Sequence, residues 1–428
     1  MREPSASPLS PQERCNARRW LLLAVSAMAL SALLAILLVL SRTPGVQELF
    51  GLKAAFHTVL VLHVNFAVLV WLLSFGGVLW SLALKRRAPL IDGLAYGLAV
   101  AGALLLLLSP WLGEVVPVMS NYIPVLDTPL FFTGLISFAG GVSLLAFGVV
   151  LQAAAPKTSA LRLAALAWFA ALTVFVLHAL QLLDLRPLAY EQLFWGGGHL
   201  LQFVYLLLLF AVWQVRGGHA VVVSPRLTYG LLGVALLIAL IFDPASEPSR
   251  TAFTRLMQFG TPLLLLPAMW TLVRDKSLRH DVTLAASLGL MGLGLLVGAL
   301  INSDTVTVTA HYHATNAAIT VAFMGAAYEL LPRLGFFTPA QRVQQWQLRL
   351  YASGMALYVI GMATSGWLGV PRKSALVIDG GSAQLAMAVM GMGGLVSVVA
   401  TLLFVGLMFA AMTRRSALLL NKSMGEVS

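Results

Sequence analysis

Long apolar stretches recur along almost the whole chain, and they constrain its fold more than any other feature. The 428 residues are 59% hydrophobic and only 10% charged, far from the composition of soluble domains. Stretches of about 20 apolar residues are long enough to cross a bilayer as helices. The pattern predicts an all-α polytopic membrane protein with about twelve transmembrane helices in one bundle. The predicted spans are residues 19–41, 55–84, 90–112, 127–151, 160–182, 192–215, 227–242, 253–273, 281–301, 305–332, 347–369 and 384–412.

The positive charges predict the orientation of these helices. The net charge is +11, and twenty of the 27 Lys and Arg residues fall in segments on the same side of the membrane as the N-terminus. Basic loops stay on the cytoplasmic side, so both termini are predicted to be cytoplasmic. The basicity is explained by topology, and no nucleic-acid partner is needed to account for it.

The chain is predicted to contain one membrane domain. Residues 1–18 form a polar cytoplasmic tail, 19–412 the twelve-helix domain, and 413–428 a second cytoplasmic tail. The first apolar run, Trp20 to Leu40, is too long for the core of a signal peptide and is assigned to helix one. A single cysteine, Cys15, excludes a disulfide framework and a cysteine-ligated metal cluster.

Two histidines one residue apart, His311 and His313, lie in an apolar part of predicted helix ten. Residues two apart on a helix point about 200° away from each other, so this helix offers an imidazole on two sides. Ionisable groups inside a membrane are costly and indicate a functional site. The alternative is a pair of histidines that are hydrogen-bonded within the helix bundle.

Four histidines are predicted to lie at one depth. His63, His199, His311 and His313 follow the outer ends of predicted helices two, six and ten by seven to nine residues, which is about 10–14 Å. Imidazole is a common axial ligand of haem iron, and a haem held between two helices takes one histidine from each. His63 and His313 would form such a pair, while His311 faces the other way and would hold a second iron.

Three glycines, Gly196 to Gly198, directly precede His199. Glycines allow the close approach of a backbone or of a flat cofactor. Tight helix–helix packing alone is the alternative explanation. Among the other histidines, His57 is predicted to be interfacial or to contact a propionate, and His178 to be interfacial at the outer surface.

Four parts of the sequence resemble a known family. They lie on predicted helices two, six and ten and in the loop after helix eleven. By these segments the chain resembles subunit I of the haem–copper oxidase superfamily, which includes cytochrome c oxidases and nitric oxide reductases. The segments are Leu62-His63-Val64-Asn65-Phe66, Phe194-Trp195-Gly196-Gly197-Gly198-His199, Ala310-His311-Tyr312-His313 with Tyr328-Glu329-Leu330-Leu331-Pro332, and Gly369-Val370-Pro371-Arg372-Lys373.

The resemblance implies two haems, predicted to be of type b. It implies that His63 and His313 are the axial ligands of a low-spin haem and that His311 is the axial ligand of a high-spin haem. His199 corresponds to a copper ligand facing the high-spin haem, which makes it the candidate catalytic residue.

The same resemblance assigns the basic pair Arg372 and Lys373 to the haem propionates. Cations at the outer end of a helix suit carboxylates that project from a haem toward that surface.

The copper site, however, departs from the family pattern. The chain has no adjacent His-His pair, and Phe203 occupies the position of a tyrosine that many oxidases carry four residues after the helix-six histidine. One imidazole is a poor site for copper(II), which needs three or four ligands. The sequence therefore predicts a vestigial copper site at His199 and no tyrosine beside it to supply an electron.

The predicted function is electron transfer through a bis-histidine haem to a second histidine-ligated haem. Terminal oxygen reduction is implied by the resemblance, but the missing copper ligands argue against it. The alternatives are a nitric oxide reductase-like or NO-responsive haem protein, a non-catalytic haem-binding subunit, and a transporter without a cofactor. Predicted partners are membrane lipid, a cytochrome c or cupredoxin-type electron donor and a second oxidase subunit, in a bacterial cell inner membrane.

Overall fold

The computed structural model describes residues 9–41, 52–85, 88–152, 159–182, 189–217, 221, 223–278, 280–302, 304–372 and 381–414. Within these ranges the chain forms twelve long helices, each of which overlaps one predicted span. They are α1 (Pro11–Leu40), α2 (Leu52–Val64, continued by the π-helical turn Asn65–Val70 and by Trp71–Ala83), α3 (Pro89–Leu108), α4 (Pro129–Leu151), α5 (Ser159–Gln181), α6 (Tyr190–Gly217), α7 (Pro225–Ile241), α8 (Glu247–Arg274), α9 (Val282–Ala299), α10 (Val306–Arg333), α11 (Gln341–Trp367) and α12 (Gly381–Thr413).

The predicted all-α polytopic membrane fold is confirmed. Among the described residues, ten helices are long and apolar enough to cross a membrane. The other two are α7, which is shorter, and α11, which begins with the polar sequence Gln341 to Arg349. The prediction of a single membrane domain over residues 19–412 stays a prediction.

Helix α1 begins earlier than the sequence predicts, so that residues 11–18 of the predicted tail are helical. The Ser10 hydroxyl accepts a hydrogen bond from the Glu13 backbone N–H at 3.2 Å, and the Glu13 carboxylate accepts one from the Ser10 N–H at 2.7 Å. Such a capping box, followed here by Pro11, satisfies the unpaired amides of the first turn. The helix start is therefore set by local polar residues, outside the apolar stretch.

The contacts divide the chain into two compact units. The first unit consists of Met1–Val46 and Arg279–Ser428, and it contains α1 and α9 to α12. The second unit consists of Gln47–Leu278 and contains α2 to α8.

In the second unit, a loop between α3 and α4 is fixed to α2. The loop contains a short antiparallel hairpin, with β1 (Pro117–Val118) paired to β2 (Val125–Leu126). Asn65, the first residue of the π-helical turn, donates hydrogen bonds to the backbone oxygens of Val61 at 2.9 Å and Pro124 at 2.7 Å. The bond to Val61 stays within α2, whereas the bond to Pro124 holds the loop in a defined place, because the amide is buried.

In the first unit, α10 packs against both α9 and α11. The N-terminus of α10 is joined to the loop after α11, where the Val306 N–H donates to the Val370 oxygen at 3.1 Å. A small apolar core forms between the three helices, and its residues are Val297, Ala310, Ala314, Val359, Met362 and Ala363. The small alanines let α10 approach its neighbours closely, which fixes the rotation of the helix that carries His311 and His313.

Candidate functional site

His311 is oriented by a backbone carbonyl of the neighbouring helix. Its Nδ1 lies 2.7 Å from the carbonyl oxygen of Gly294 on α9. A carbonyl only accepts hydrogen bonds, so Nδ1 carries the proton and the lone pair resides on Nε2. This is the arrangement found in metal-ligating histidines, whose second ring nitrogen is held by a carbonyl or carboxylate.

A glycine provides the space in which the His311 ring lies. A Cβ at Gly298 would come within 2.5 Å of the His311 Nδ1 and 2.7 Å of its Cε1. Any side chain at position 298 would therefore push the imidazole out of its present place. Position 298 therefore belongs to the candidate site, although the sequence pattern did not single it out.

His313 has the same tautomer but obtains it within its own helix. Its Nδ1 lies 2.8 Å from the Thr309 carbonyl oxygen, so this nitrogen also carries the proton and the lone pair is on Nε2. The ring lies between Tyr312, at 5.1 Å between centroids, and Tyr358, at 5.2 Å. The His-x-His segment thus presents two imidazoles whose Nε2 atoms carry the lone pair.

Arg372 lies in the loop after α11 and binds a carboxylate just before the start of α10. Its Nε is 2.6 Å from the Asp304 Oδ1, and the arginine side chain is only 14% exposed while the aspartate is 75% exposed. The structure thus shows a shielded guanidinium that holds a carboxylate of the protein itself. The predicted partner in the basic pair, Lys373, lies outside the described residues.

His63 lies on α2, in the second unit, two residues before the π-helical turn. It is partly buried. Single π-helical turns occur frequently at functional sites because they rotate the residues around them relative to a regular helix. His311 and His313 belong to the first unit, so the predicted pairing of His63 with His313 stays a prediction.

Both ring nitrogens of His199 are engaged in hydrogen bonds. Its Nδ1 lies 2.6 Å from the Trp195 carbonyl oxygen, and its Nε2 lies 2.9 Å from the Tyr122 hydroxyl. Since Nδ1 must donate to the carbonyl, Nε2 is the acceptor and the tyrosine is the donor. The lone pair that a metal would need is therefore already used by Tyr122.

The position of Tyr122 corrects the prediction that no tyrosine lies beside His199. The prediction rested on the position four residues along α6, which is Phe203, whereas Tyr122 comes from the loop between α3 and α4. Its backbone adopts the left-handed conformation, with φ of 65°. This conformation is uncommon outside glycine, and it directs the ring onto α6. No spacing in the sequence indicates such a contact between distant segments.

The loop is held at Tyr122 by a carboxylate of α6. The Asn121 backbone N–H donates to Glu191 at 2.7 Å, and the Asn121 amide donates to the other carboxylate oxygen at 2.5 Å. Burial raises the pKa of the Tyr122 hydroxyl well above its usual value near 10, and the Glu191 charge raises it further, while the Arg250 charge opposes the shift. Tyr122 is thus a proton donor at physiological pH.

Aromatic and imidazole rings occupy the space beside the three glycines that precede His199. A Cβ at Gly196 would collide with Phe253 and His178, one at Gly197 with Phe175, and one at Gly198 with Tyr122. Between the two interpretations of this segment, the structure favours tight packing. The rings at Gly196 and Gly197 come from the neighbouring helices α5 and α8, as in helix–helix packing, and the ring at Gly198 comes from the loop between α3 and α4.

The structure also describes two other histidines, His178 and His57. His178 is only 1% exposed, which makes the prediction of an interfacial surface residue wrong. Its Nδ1 lies 3.3 Å from the Gln192 oxygen, its ring packs on Phe253, and its Nε2 has no hydrogen-bond partner among the described residues. His57 is exposed next to Phe56, as expected of an interfacial residue.

The predicted ligands fall into two groups according to the hydrogen bonds of their ring nitrogens. His311 and His313 fit axial ligands of haem iron, because the proton of each is fixed on Nδ1. His199 does not fit a copper ligand, because its Nε2 accepts from Tyr122. Among the described residues there is also no group of three or more His, Cys, Asp or Glu side chains placed to hold a metal ion.

Comparison with known proteins gives three distant relatives. An uncharacterized protein of Rickettsia prowazekii is 27% identical over 91% of this chain and 94% of its own length. An uncharacterized protein of Aquifex aeolicus is 28% identical over 74% of this chain and 85% of its own length. Cytochrome c oxidase subunit 1 of Thermus thermophilus is 26% identical over 58% of this chain and 54% of its own length. No protein-family model matches the chain.

The chain is therefore a helical membrane protein with a weak, partial similarity to cytochrome c oxidase subunit 1. This similarity agrees with the resemblance found in the four sequence segments.

Proposed function

We propose that the protein binds haem in the membrane and transfers electrons from a low-spin haem to a second haem held by His311. The observation that carries the proposal is the shared tautomer of His311 and His313, whose Nδ1 atoms both donate to backbone oxygens. The partial similarity to cytochrome c oxidase subunit 1 supports it. When bound, haem supplies an iron that accepts and releases single electrons.

The side chains have separate tasks in this proposal. His311 ligates through Nε2, and the Gly294 carbonyl holds its ring in place and raises its basicity. His313, on the other side of α10, and His63 would together hold the low-spin haem. That pairing rests on the sequence resemblance alone. Arg372 binds a propionate in addition to, or in exchange for, the Asp304 carboxylate.

A test compares two histidines of α2. Purified protein is expected to contain two haems by the pyridine haemochrome assay, with the spectrum of a six-coordinate low-spin haem. His63→Ala should remove the low-spin spectrum, whereas His57→Ala should retain it because His57 is exposed and lies about 240° around the helix from His63. A low-spin spectrum that persists in His63→Ala would refute the ligand assignment.

A second candidate function is the binding of a small gas, such as nitric oxide, at the haem on His311. The bond between Tyr122 and His199 favours it, because His199 is then not a copper ligand that would assist oxygen reduction. Carbon monoxide is expected to bind the reduced protein, with oxygen turnover slow or absent. One copper per chain, together with oxygen consumption that is lost in His199→Ala, would contradict this candidate.

We further propose that the protein resides in a bacterial inner membrane with both termini in the cytoplasm. A cytochrome c or a cupredoxin then serves as electron donor, and a second subunit of oxidase type is the proposed partner. The distribution of basic residues supports this orientation. Cysteine accessibility in intact cells and inverted vesicles tests it, with Cys15 expected to react only from the cytoplasmic side.

A further inference from the structure

A groove on the first unit combines positive charge with an apolar wall. It lies between the beginning of α9 and the first third of α11 and has a volume of about 480 Å³. Its polar side chains are His280, Arg349 and Ser353, and its apolar ones include Val282, Ala285 and Ala286. No residue of the proposed haem site lines it.

The mouth of the groove lies where both helices change from polar to apolar. Asp281 caps α9 through the Leu284 N–H at 2.9 Å, and the helix that follows contains no charged residue. In α11 the polar segment ends at Arg349, and Leu350 to Trp367 contains no charged residue. Such a change marks the level of the lipid headgroups in a membrane protein.

Trp346 supports this assignment of depth. Its side chain is 68% exposed, one turn before Arg349 on α11, and the Arg349 guanidinium lies 5.9 Å from the centre of its ring. Tryptophan is enriched at the interface because its ring is apolar and its N–H is polar. The contact holds the guanidinium near the mouth of the groove.

Small side chains form much of the wall of the groove. Ala285, Ala286 and Ala352 line it, and further along α9 a Cβ at Gly289 would meet no atom within 4 Å. Cationic side chains beside small apolar ones, at the level where both helices become apolar, match the charge and chemistry of one lipid molecule with an anionic headgroup.

We propose that this groove is a binding site for an anionic phospholipid. The phosphate would accept charge-assisted hydrogen bonds from Arg349 and a further bond from the His280 imidazole, with an acyl chain along the alanines of α9. The distribution of basic residues places this site in the cytoplasmic leaflet. Zwitterionic lipids, which carry no net charge, would bind more weakly.

The test is a lipid titration of the full-length protein in detergent, followed by native mass spectrometry. Phosphatidylglycerol is compared with phosphatidylcholine, and free inorganic phosphate is added as a competitor. Arg349→Gln should lower the affinity for phosphatidylglycerol about tenfold, the usual effect of losing one charge-assisted bond. Arg342→Gln is the matched control, since Arg342 is an exposed arginine on the same helix that does not line the groove.

A second variant tests the apolar wall. Ala286→Leu should fill the groove and weaken phosphatidylglycerol binding while leaving the charges in place. Equal binding by Arg349→Gln and Arg342→Gln would overturn the proposal. So would competition by inorganic phosphate at the concentration of the lipid phosphate, since the site would then bind a free anion and not a lipid.

Discussion

The first halves of α6 and α10 both carry histidines at the depth predicted for a haem–copper site, but the ring nitrogens of these histidines have different partners. On α10, His311 and His313 each donate through Nδ1 to a backbone oxygen, so that the lone pair is on Nε2. On α6, His199 makes the same kind of bond to Trp195, but its Nε2 also accepts from Tyr122. The difference lies at His199 Nε2, because a hydroxyl that donates to this nitrogen uses the lone pair through which the imidazole would bind a metal.

The largest expected effect comes from Gly298. In Gly298→Ala the new Cβ would collide with the His311 ring, so the ring must leave its bond to Gly294. We expect loss of the haem proposed on His311, measured as haem per chain. Gly289→Ala is the control on the same helix, because a Cβ there meets no atom within 4 Å. Equal haem content in both variants would show that the position of the His311 ring is unimportant.

The equivalent change on α6 should affect stability and leave haem content unchanged. In Gly198→Ala the Cβ would collide with the Tyr122 ring, which cannot remain against His199. Overpacking of this kind costs about 1–3 kcal/mol, and we expect a lower unfolding temperature with normal haem. Gly230→Ala on α7, where the Cβ has open space, should be neutral. Loss of haem in Gly198→Ala would show that the region around His199 also determines haem binding, as the region around His311 is expected to do.

A smaller effect is expected for Tyr122→Phe. This change removes the hydroxyl and leaves His199 Nε2 without its donor, at a cost of about 1 kcal/mol in unfolding free energy. Tyr229→Phe is the control, since Tyr229 is 50% exposed on α7. A double-mutant cycle with His199→Gln measures the coupling, and additive effects of the two substitutions would show that the hydrogen bond contributes nothing.

The burial of Tyr122 against His199 should also affect how the unfolding temperature depends on pH. Burial raises the pKa of Tyr122 in the folded protein, so its contribution to stability is complete below the ordinary tyrosine pKa near 10. Above that pH the unfolded chain loses the proton while the folded one retains it, and the contribution falls as pH rises. The unfolding temperature should therefore drop less between pH 9 and 11 in Tyr122→Phe than in the parent protein.

The smallest effect concerns Arg372. Because Asp304 is largely exposed, breaking its ion pair should change stability by only about 0–1 kcal/mol in either Arg372→Gln or Asp304→Asn. If Arg372 also binds a propionate, only Arg372→Gln should shift the haem midpoint potential in a redox titration. Identical potentials in the two variants would limit Arg372 to its pair with Asp304.

The sequence predicted the helices well because apolar length and composition are local properties that a membrane enforces. It also singled out His311 and His313, since ionisable residues are rare in such segments. It did not indicate Tyr122, whose contact with His199 depends on its own left-handed backbone conformation in a loop 77 positions away. The burial of His178 was also missed, because a residue at the predicted end of a helix gives no sign of the side chains that cover it.

Haem per chain in His311→Ala and His199→Ala tests the central claim most directly. Both variants remove one imidazole from the same predicted depth, and both can be analysed by pyridine haemochrome assay and by iron content. We expect His311→Ala to lose one of two haems and one iron, and His199→Ala to retain both haems. Loss of haem in His199→Ala, or full haem in His311→Ala, would contradict the division between the two regions.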